Sequence, residues 1–336
     1  MPRKVRWGVL GAARIAVGKV IPAMQQGDWS EVMAIASRDP ARARATAAAL
    51  GIPKAVGSYD ALLDDPEVEA VYNPLPNHLH VPWSIRAAER GRHVLCEKPI
   101  GLDAGEAQAL LAARDRTGVR IGEAFIVRAH PQWATVVDLV RAGRVGDVRS
   151  VEGHFSFSLD DEANIRLVAE YGGGALLDVG CYLVHVSRLV FGREPARVFA
   201  AMARDPATGV DVRTSMTLDF GSGVAVGTCG MRSARHQRVE VFGTRGRIHV
   251  EVPFGVAPDR PCHVTIDGGS DSIDRSSERL AFGPLNQFTL QGDLFSRAIR
   301  EGGDVPCPLE DSVANMRVLD ALARSAATGM WAPIEE

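Results

Sequence analysis

Val5 to Leu10 is a short apolar run ending at a glycine, and from Ala12 to Gln26 the apolar residues recur at helical spacing, so the chain opens as strand, turn and helix. The turn itself reads Gly8-Val9-Leu10-Gly11-Ala12-Ala13-Arg14-Ile15-Ala16. A tight passage from a strand into a helix presents backbone N–H groups at the positive end of the helix, where a pyrophosphate can be held. The dinucleotide pattern G-x-G-x-x-G/A is filled here by Gly11, Ala13 and Ala16, with Ala12, Arg14 and Ile15 completing the loop. Ala13 departs from the pattern, because its methyl stands where bare backbone should approach phosphate, and a slightly looser contact is expected. An ordinary strand-to-helix turn would look much the same in isolation. Placement within a repeating βα pattern is what gives this one weight.

That pattern continues. Glu31 to Ser37 reads as a strand; Asp39 can cap a helix that starts at Pro40 and is stopped by Gly51. Ala70 to Asn73, His93 to Cys96 and Arg120 to Ala124 read as strands alternating with helices at Val81 to Arg90 and Ala104 to Thr117. Repeated βα units predict a doubly wound parallel sheet of the α/β Rossmann type over residues 1–124. After residue 125 one helix, Trp133 to Ala142, leads into longer runs of strand character: Val148 to Ser158, Val198 to Arg204, Ser215 to Phe220, Val224 to Met231, Arg238 to Gly243 and Arg247 to Val252. With helices expected at Ala175 to Phe191, Gln287 to Arg300 and Glu310 to Thr328, residues 125–336 predict an α+β domain with a large open, mainly antiparallel sheet. Pro258 to Arg279 reads as a surface loop.

A length of 336 residues suits two domains, and 46% hydrophobic with 24% charged residues is ordinary for a packed globular protein. The net charge of -3, from 38 basic and 41 acidic residues, offers no footprint for nucleic acid or an anionic membrane. No stretch reads as the ~18 apolar residues a membrane helix needs and no signal-peptide core opens the chain, so a cytoplasmic location is expected. Five scattered cysteines without a C-x-x-C pair read as reduced thiols, and no metal site is expected.

The end of the second strand discriminates between dinucleotides. An acidic residue there would bind the ribose hydroxyls of NAD; this chain has Ser37-Arg38, a hydroxyl and a guanidinium suited to a 2′-phosphate, with Arg42 one helical turn beyond. NADP(H) is therefore expected in preference to NAD(H). Two further motifs carry polar groups to places where chemistry can occur. Cys96-Glu97-Lys98-Pro99 follows a strand at the carboxyl edge of the predicted sheet. Gly172-Gly173-Gly174-Ala175-Leu176-Leu177-Asp178-Val179-Gly180-Cys181-Tyr182 enters a helix expected to carry Asp178, Tyr182 and His185 on one face.

Taken in order, W-G-V-L-G-A-A-R-I-A, A-S-R-D, P-L-P-N-H-L-H (Pro74 to His80), E-K-P and G-G-G-A-L-L-D-V-G-C-Y resemble the glucose-fructose oxidoreductase/inositol dehydrogenase (Gfo/Idh/MocA) family over nearly the whole chain. Glu123-Ala124-Phe125, His130-Pro131-Gln132 and Asn164-Ile165-Arg166 are most similar to its branch of NADP-linked D-xylose dehydrogenases, dihydrodiol dehydrogenases and glucose-fructose oxidoreductase. The resemblance implies that Lys98 is the catalytic lysine, Glu97 its neighbour at the cofactor, Tyr182 the proton donor and acceptor, and Asp178 an aspartate assisting it. It implies that Leu75, Asn77 and His80 line the nicotinamide side, and that the Lys98–Pro99 peptide is cis. It also implies self-association as a homodimer or homotetramer. Phe288 stands where relatives often carry tyrosine near the nicotinamide. Phe125, Arg166 and His185 are candidate substrate contacts.

The chemistry accounts for these residue types. Removing hydride from a carbinol carbon requires the hydroxyl proton to leave too, so a base must reach the oxygen. A phenol titrates near pH ~10, and a nearby ammonium favours phenolate and stabilises a developing alkoxide. The expected activity is NADP(H)-dependent hydride transfer to or from a carbohydrate, an aldose at C1 first. Keto-sugar or dihydrodiol-type reduction is the alternative, and a non-catalytic NADP-binding regulator, which would have no need of Lys98 and Tyr182, is the reading from a different class.

Overall fold

The computed structural model describes residues 3–268 and 277–335. The chain divides into two compact units, the first comprising residues 1–129 and 286–313, the second 130–285 and 314–336.

In the first unit, strands β1 (Val5–Leu10), β2 (Ser30–Ala36), β3 (Lys54–Val56), β4 (Ala70–Asn73), β5 (His93–Cys96) and β6 (Ile121–Glu123) form a six-stranded sheet in the order β3-β2-β1-β4-β5-β6. Every pairing is parallel, and the order reverses at β1. This is the doubly wound topology expected, with the ligand crevice of such sheets at the carboxyl ends of β1 and β4. The inner stretches of the central strands, such as Trp7–Leu10, Val32–Ala36 and Val94–Cys96, are apolar and buried, as strands with helices on both faces must be. The helix after β1 starts at Arg14, widens into a π turn at Ala16–Val20 and continues as the α-helix Ile21–Met24. The helix Pro40–Leu50 is capped as its sequence predicts: the Asp39 carboxylate accepts from the N–H groups of Ala41 and Arg42, and Gly51 closes it at φ +65°.

The returning segment 286–313 differs from the expected boundary, which placed everything beyond residue 124 in the second domain. Its helix Gln287–Glu301 is strongly amphipathic, and its buried stripe finds its partner in the first sheet. Phe295 packs on Trp7 with ring centroids 5.6 Å apart, and the Trp7 indole donates to Ser296 Oγ at 3.0 Å. Asp293 accepts from the N–H groups of Asp28 and Trp29 at the entry to β2. A Cβ on Gly292 would meet Met24 Cγ at 2.9 Å, so glycine is what lets the two helices close.

In the second unit, nine strands lie in one sheet: β7 (Val148–Ser158), β8 (Arg197–Arg204), β9 (Asp211–Asp219), β10 (Val224–Gly230), β11 (Arg232–Gly243), β12 (Gly246–Val250), β13 (Cys262–Gly268), β14 (Ser277–Phe282) and β15 (Ala332–Pro333). The order is β14-β13-β12-β11-β7-β10-β9-β8-β15, antiparallel except for β7 with β10. Two of these strands correct the expected surface loop at Pro258 to Arg279. Cys262, Val264 and Ile266 alternate inward on β13, and β14 pairs with it from Cys262–Phe282 to Asp267–Ser277; residues 269–276 of that stretch lie outside the described residues. One face of β9 (Thr214, Met216, Leu218) is buried, while on the other Arg213 is exposed and Ser215 and Thr217 are half-buried.

The helix that follows Gly174 also corrects an expectation. The segment Ala169–Phe191 is long and apolar enough to cross a membrane by length and composition, but its most apolar window is mostly buried inside the fold, so it reads as a core helix. Gly153 and Gly227 leave room for it: a Cβ on Gly153 would meet Leu183 Cδ2 at 2.6 Å. All five cysteines are buried free thiols: Cys96 and Cys307 in the first unit, Cys181, Cys229 and Cys262 in the second.

Candidate active site

In the first unit the crevice side is built on Gly11. Its φ is +95°, a conformation side chains rarely adopt, and a Cβ there would meet Leu75 Cδ2 at 3.1 Å and the Tyr59 hydroxyl at 3.4 Å. The Gly11 N–H donates to Ala36 O at 2.9 Å, tying the loop to the end of β2. Ala12 is buried, Ala13 and Ile15 are half-buried, and Arg14 is exposed at the first helical residue. Phe288 packs against the same core that Ala12 and Ala16 enter.

At the end of β2, Ser37 is buried with its hydroxyl accepting from the Asp39 N–H at 3.2 Å, while Arg38 is exposed. Asp39 is turned toward its helix, accepting from Ala41 N–H at 2.9 Å and Arg42 N–H at 3.3 Å. The residue the sequence left without a contact is Arg42. Its Nη2 donates to Ala12 O at 2.7 Å, a bond across 30 residues that holds a guanidinium against the glycine turn.

The loops after β4 and β5 form one hydrogen-bonded body. The Tyr72 hydroxyl donates to Glu97 Oε1 at 2.7 Å, Glu97 Oε2 accepts from the Lys98 N–H at 3.2 Å, and Glu97 N–H donates to Asn73 O at 3.0 Å. The Lys98–Pro99 peptide is cis, and Glu97, Lys98 and Asn77 are half-buried. His80 is buried with Nδ1 2.7 Å from Pro99 O and Nε2 2.7 Å from Leu75 O. Burial lowers its pKa to about 4, against the pull of those two carbonyls, so the ring is neutral near pH 7 and braces the two loops. Asn73 supports it, donating to His80 O and Ser84 Oγ and accepting from Leu75 N–H. Tyr72, Asn73 and Ser84 were missed in the sequence; the signal was two polar residues ending an otherwise apolar strand. Phe125 is fully buried at the end of β6.

In the second unit the G-G-G motif opens a helix whose first turn is π-helical, Leu176–Gly180, before the α-helix Cys181–Phe191. Such turns widen the helix locally and occur often at functional sites. The register of Asp178 with Tyr182 and His185 therefore differs from the uniform α-helical face expected. Asp178 lies in the π turn, and its Oδ2 accepts from Arg166 Nε at 2.7 Å, with the arginine side chain 41% exposed and the aspartate 13%. The Arg166 guanidinium lies 5.8 Å from the Phe157 ring. Tyr182 is buried against Phe155 and Phe254, at 5.7 Å and 5.4 Å between ring centroids, and those two phenylalanines stack at 4.7 Å. His185 is buried on the α-helical part. An aromatic cluster of this kind can pack on the apolar face of a small ligand, and an ion pair such as Arg166–Asp178 can meet its polar groups.

Comparison with known proteins agrees with this geometry. Residues 5–125 match the oxidoreductase family model with an NAD-binding Rossmann fold, and residues 133–249 match the GFO/IDH/MocA C-terminal domain. An uncharacterized oxidoreductase of Rhizobium meliloti is 48% identical over 97% of this chain and 98% of that protein. The D-xylose 1-dehydrogenase (NADP(+)) 2 of Haloferax volcanii is 41% identical over 96% and 98%. A crystal structure of a 3-ketoreductase from Actinomadura kijaniata in complex with NADP and TDP-benzene superposes with a TM-score of 0.89 at 31% identity, covering 96% of this chain and 98% of that one. Gly11, at φ +95° in the turn after β1, fits the glycine of a dinucleotide-binding loop, and the chain is an oxidoreductase belonging to the GFO/IDH/MocA family.

Proposed function

We propose that this enzyme uses NADP(H) to oxidise an aldose at C1 to its lactone, or to run the reverse reduction. The observation that carries the cofactor choice is at the end of β2, where the Asp39 carboxylate is spent on capping its own helix while Arg42 reaches back to Ala12. A carboxylate so placed is not offered to ribose hydroxyls, and Ser37, Arg38 and Arg42 suit a 2′-phosphate. Gly11, Ala12, Ala13, Arg14 and Ile15 would hold the pyrophosphate, and Leu75, Asn77 and Glu97 the nicotinamide side. When bound, the cofactor supplies or accepts the hydride.

The chain's own residues handle the proton. Tyr182 exchanges it with the substrate hydroxyl; Lys98 supplies the positive charge that favours the phenolate form and a developing alkoxide. Arg166 and Asp178 orient the sugar hydroxyls, and the Phe155 and Phe254 rings exclude water. The full-length similarity to a D-xylose 1-dehydrogenase supports an aldose as substrate. The similarity to a 3-ketoreductase keeps keto-sugar reduction as the second reading.

The test is reduction of NADP+ and of NAD+ by purified enzyme against a panel of aldoses, cyclic polyols and diols, with keto-sugars and NADPH in reverse. Turnover of an aldose with a lower KM for NADP+ is expected. Lys98→Met and Tyr182→Phe should abolish turnover while leaving NADPH binding intact. Tight NADPH binding without turnover of any compound would instead favour a cofactor-sensing role.

A further inference from the structure

Asp211 opens β9 and is only 7% exposed. Its Oδ2 accepts from the Leu176 N–H at 2.8 Å and from the Thr214 hydroxyl at 2.7 Å. Leu176 is the first residue of the π turn, so an amide without an acceptor in its own helix is taken by a carboxylate from another element. The helix entry has no side chain of its own for the task. Gly174 lies there at φ +115°, and the space a Cβ would need is filled by Asp211 Oδ1.

The neighbouring glycine serves the same junction. A Cβ on Gly173 would collide with the carbonyl oxygens of Arg166 and Val168. Without it, the Gly174 N–H donates to Arg166 O and the Gly173 N–H to Val168 O, each at 3.0 Å. The loop thus folds onto the helix start, and from there Arg166 Nε reaches Asp178. One carboxylate, two glycines and one loop therefore fix the first turn of the helix that carries Asp178 and Tyr182.

We propose that Asp211 is a positioning residue for the reaction, acting through Leu176 and the glycine junction to set Asp178 toward Arg166 and to hold the turn leading to Tyr182. This rests on reading Tyr182 as the proton-exchanging residue. The charge matters as well as the bond, because an anion is favoured at the positive end of a helix. Burial raises the Asp211 carboxyl above its usual range, so it takes up its proton at a higher pH than an ordinary aspartate. The groups facing it are Thr214 on its own strand, Arg204 opposite on β8, and the buried Cys229 thiol on β10. Among them Arg204 and Thr214 favour the anion.

The experiment compares Asp211→Asn, Thr214→Val and Tyr182→Phe with the parent enzyme on the aldose turned over fastest in the panel above, recording kcat, KM, NADPH Kd and the pH profile. Asp211→Asn should lower kcat tenfold or more, leave NADPH Kd within twofold, and lose an acid limb of kcat/KM. Thr214→Val should keep most of kcat but move that limb to higher pH, because the carboxylate has lost a donor that favours its charge. A lower Tm with kcat and limb unchanged, or an unmoved limb in Thr214→Val where Asp211→Asn fails to fold, overturns the proposal. Turnover by Tyr182→Phe overturns the reading of Tyr182 and this inference with it; an inactive Tyr182→Phe beside parent-like Asp211→Asn overturns the positioning role alone.

Discussion

Tyr72→Phe removes one oxygen atom from a fully buried ring, and with it the hydroxyl that donates to Glu97 Oε1. A hydrogen bond to a charged group contributes about 1.5–3 kcal/mol. In a unit of this size each kcal/mol shifts Tm by about 2–4 °C, so a fall of about 3–12 °C is expected. The bond also reaches the lysine proposed as catalytic, since the Glu97 carboxylate that accepts from Tyr72 accepts from the Lys98 N–H with its other oxygen. Loosening it should reduce kcat/KM about tenfold, equivalent to about 1.4 kcal/mol of lost transition-state stabilisation. The assay is a double-mutant cycle of Tyr72→Phe with Glu97→Gln, read by denaturant unfolding and by steady-state kinetics. A coupling above about 1 kcal/mol is expected. If the two single effects add to within about 0.5 kcal/mol, the two side chains are energetically independent and the reasoning fails.

Arg42→Gln should raise the Kd for NADPH about tenfold or more while changing that for NADH little, measured by cofactor fluorescence titration. Gly174→Ala should destabilise the second unit by about 1–3 kcal/mol from backbone strain alone, with more from the displaced Asp211 carboxylate, read by thermal unfolding. Glu69 offers a pH test: burial works to raise its pKa, but Arg300, the Arg6 N–H and Arg3 outweigh burial and bring it to about 2. A depressed carboxyl stabilises the fold above its unfolded pKa and loses that contribution as pH falls through the folded value. Glu69→Gln should therefore unfold more easily than the parent at pH 7, and the gap should close as pH approaches about 2. Asp39→Ala should cost about 0.5–2 kcal/mol, measured by urea unfolding, through loss of the helix cap.

The parallel sheet was legible because its βα units are long enough to show both periods; β1, β2, β4, β5 and β6 fall where the apolar runs place them. Lys54–Val56 and the helix Tyr59–Asp64 were not legible, being too short for any period to repeat. On β13 the alternation of Cys262, Val264 and Ile266 was present, but the polar residues around Pro258 and Pro261 outweighed it. The helix Gln287–Glu301 declared its amphipathic face without saying which sheet would cover it, because a hydrophobic stripe carries no address. At the site, the motifs gave Lys98, Asp178 and Tyr182 as candidates. Arg42 with Ala12 and Asp211 with Leu176 remained hidden, since each bond joins segments at least 30 residues apart and no local spacing encodes it.

The interior cysteines turn the fold into its own stopwatch. Burial holds the Cys96, Cys229 and Cys307 thiols well above the usual range, so the reactive thiolate is scarce while the chain is closed. Disulfide reagents must wait for local or global opening, and the rate of labelling then counts those openings. Single-cysteine chains retaining Cys96 or Cys307 time the nucleotide-binding unit; one retaining Cys229 times the other. With NADPH present, labelling of Cys96 and Cys307 should slow by a factor that follows cofactor concentration.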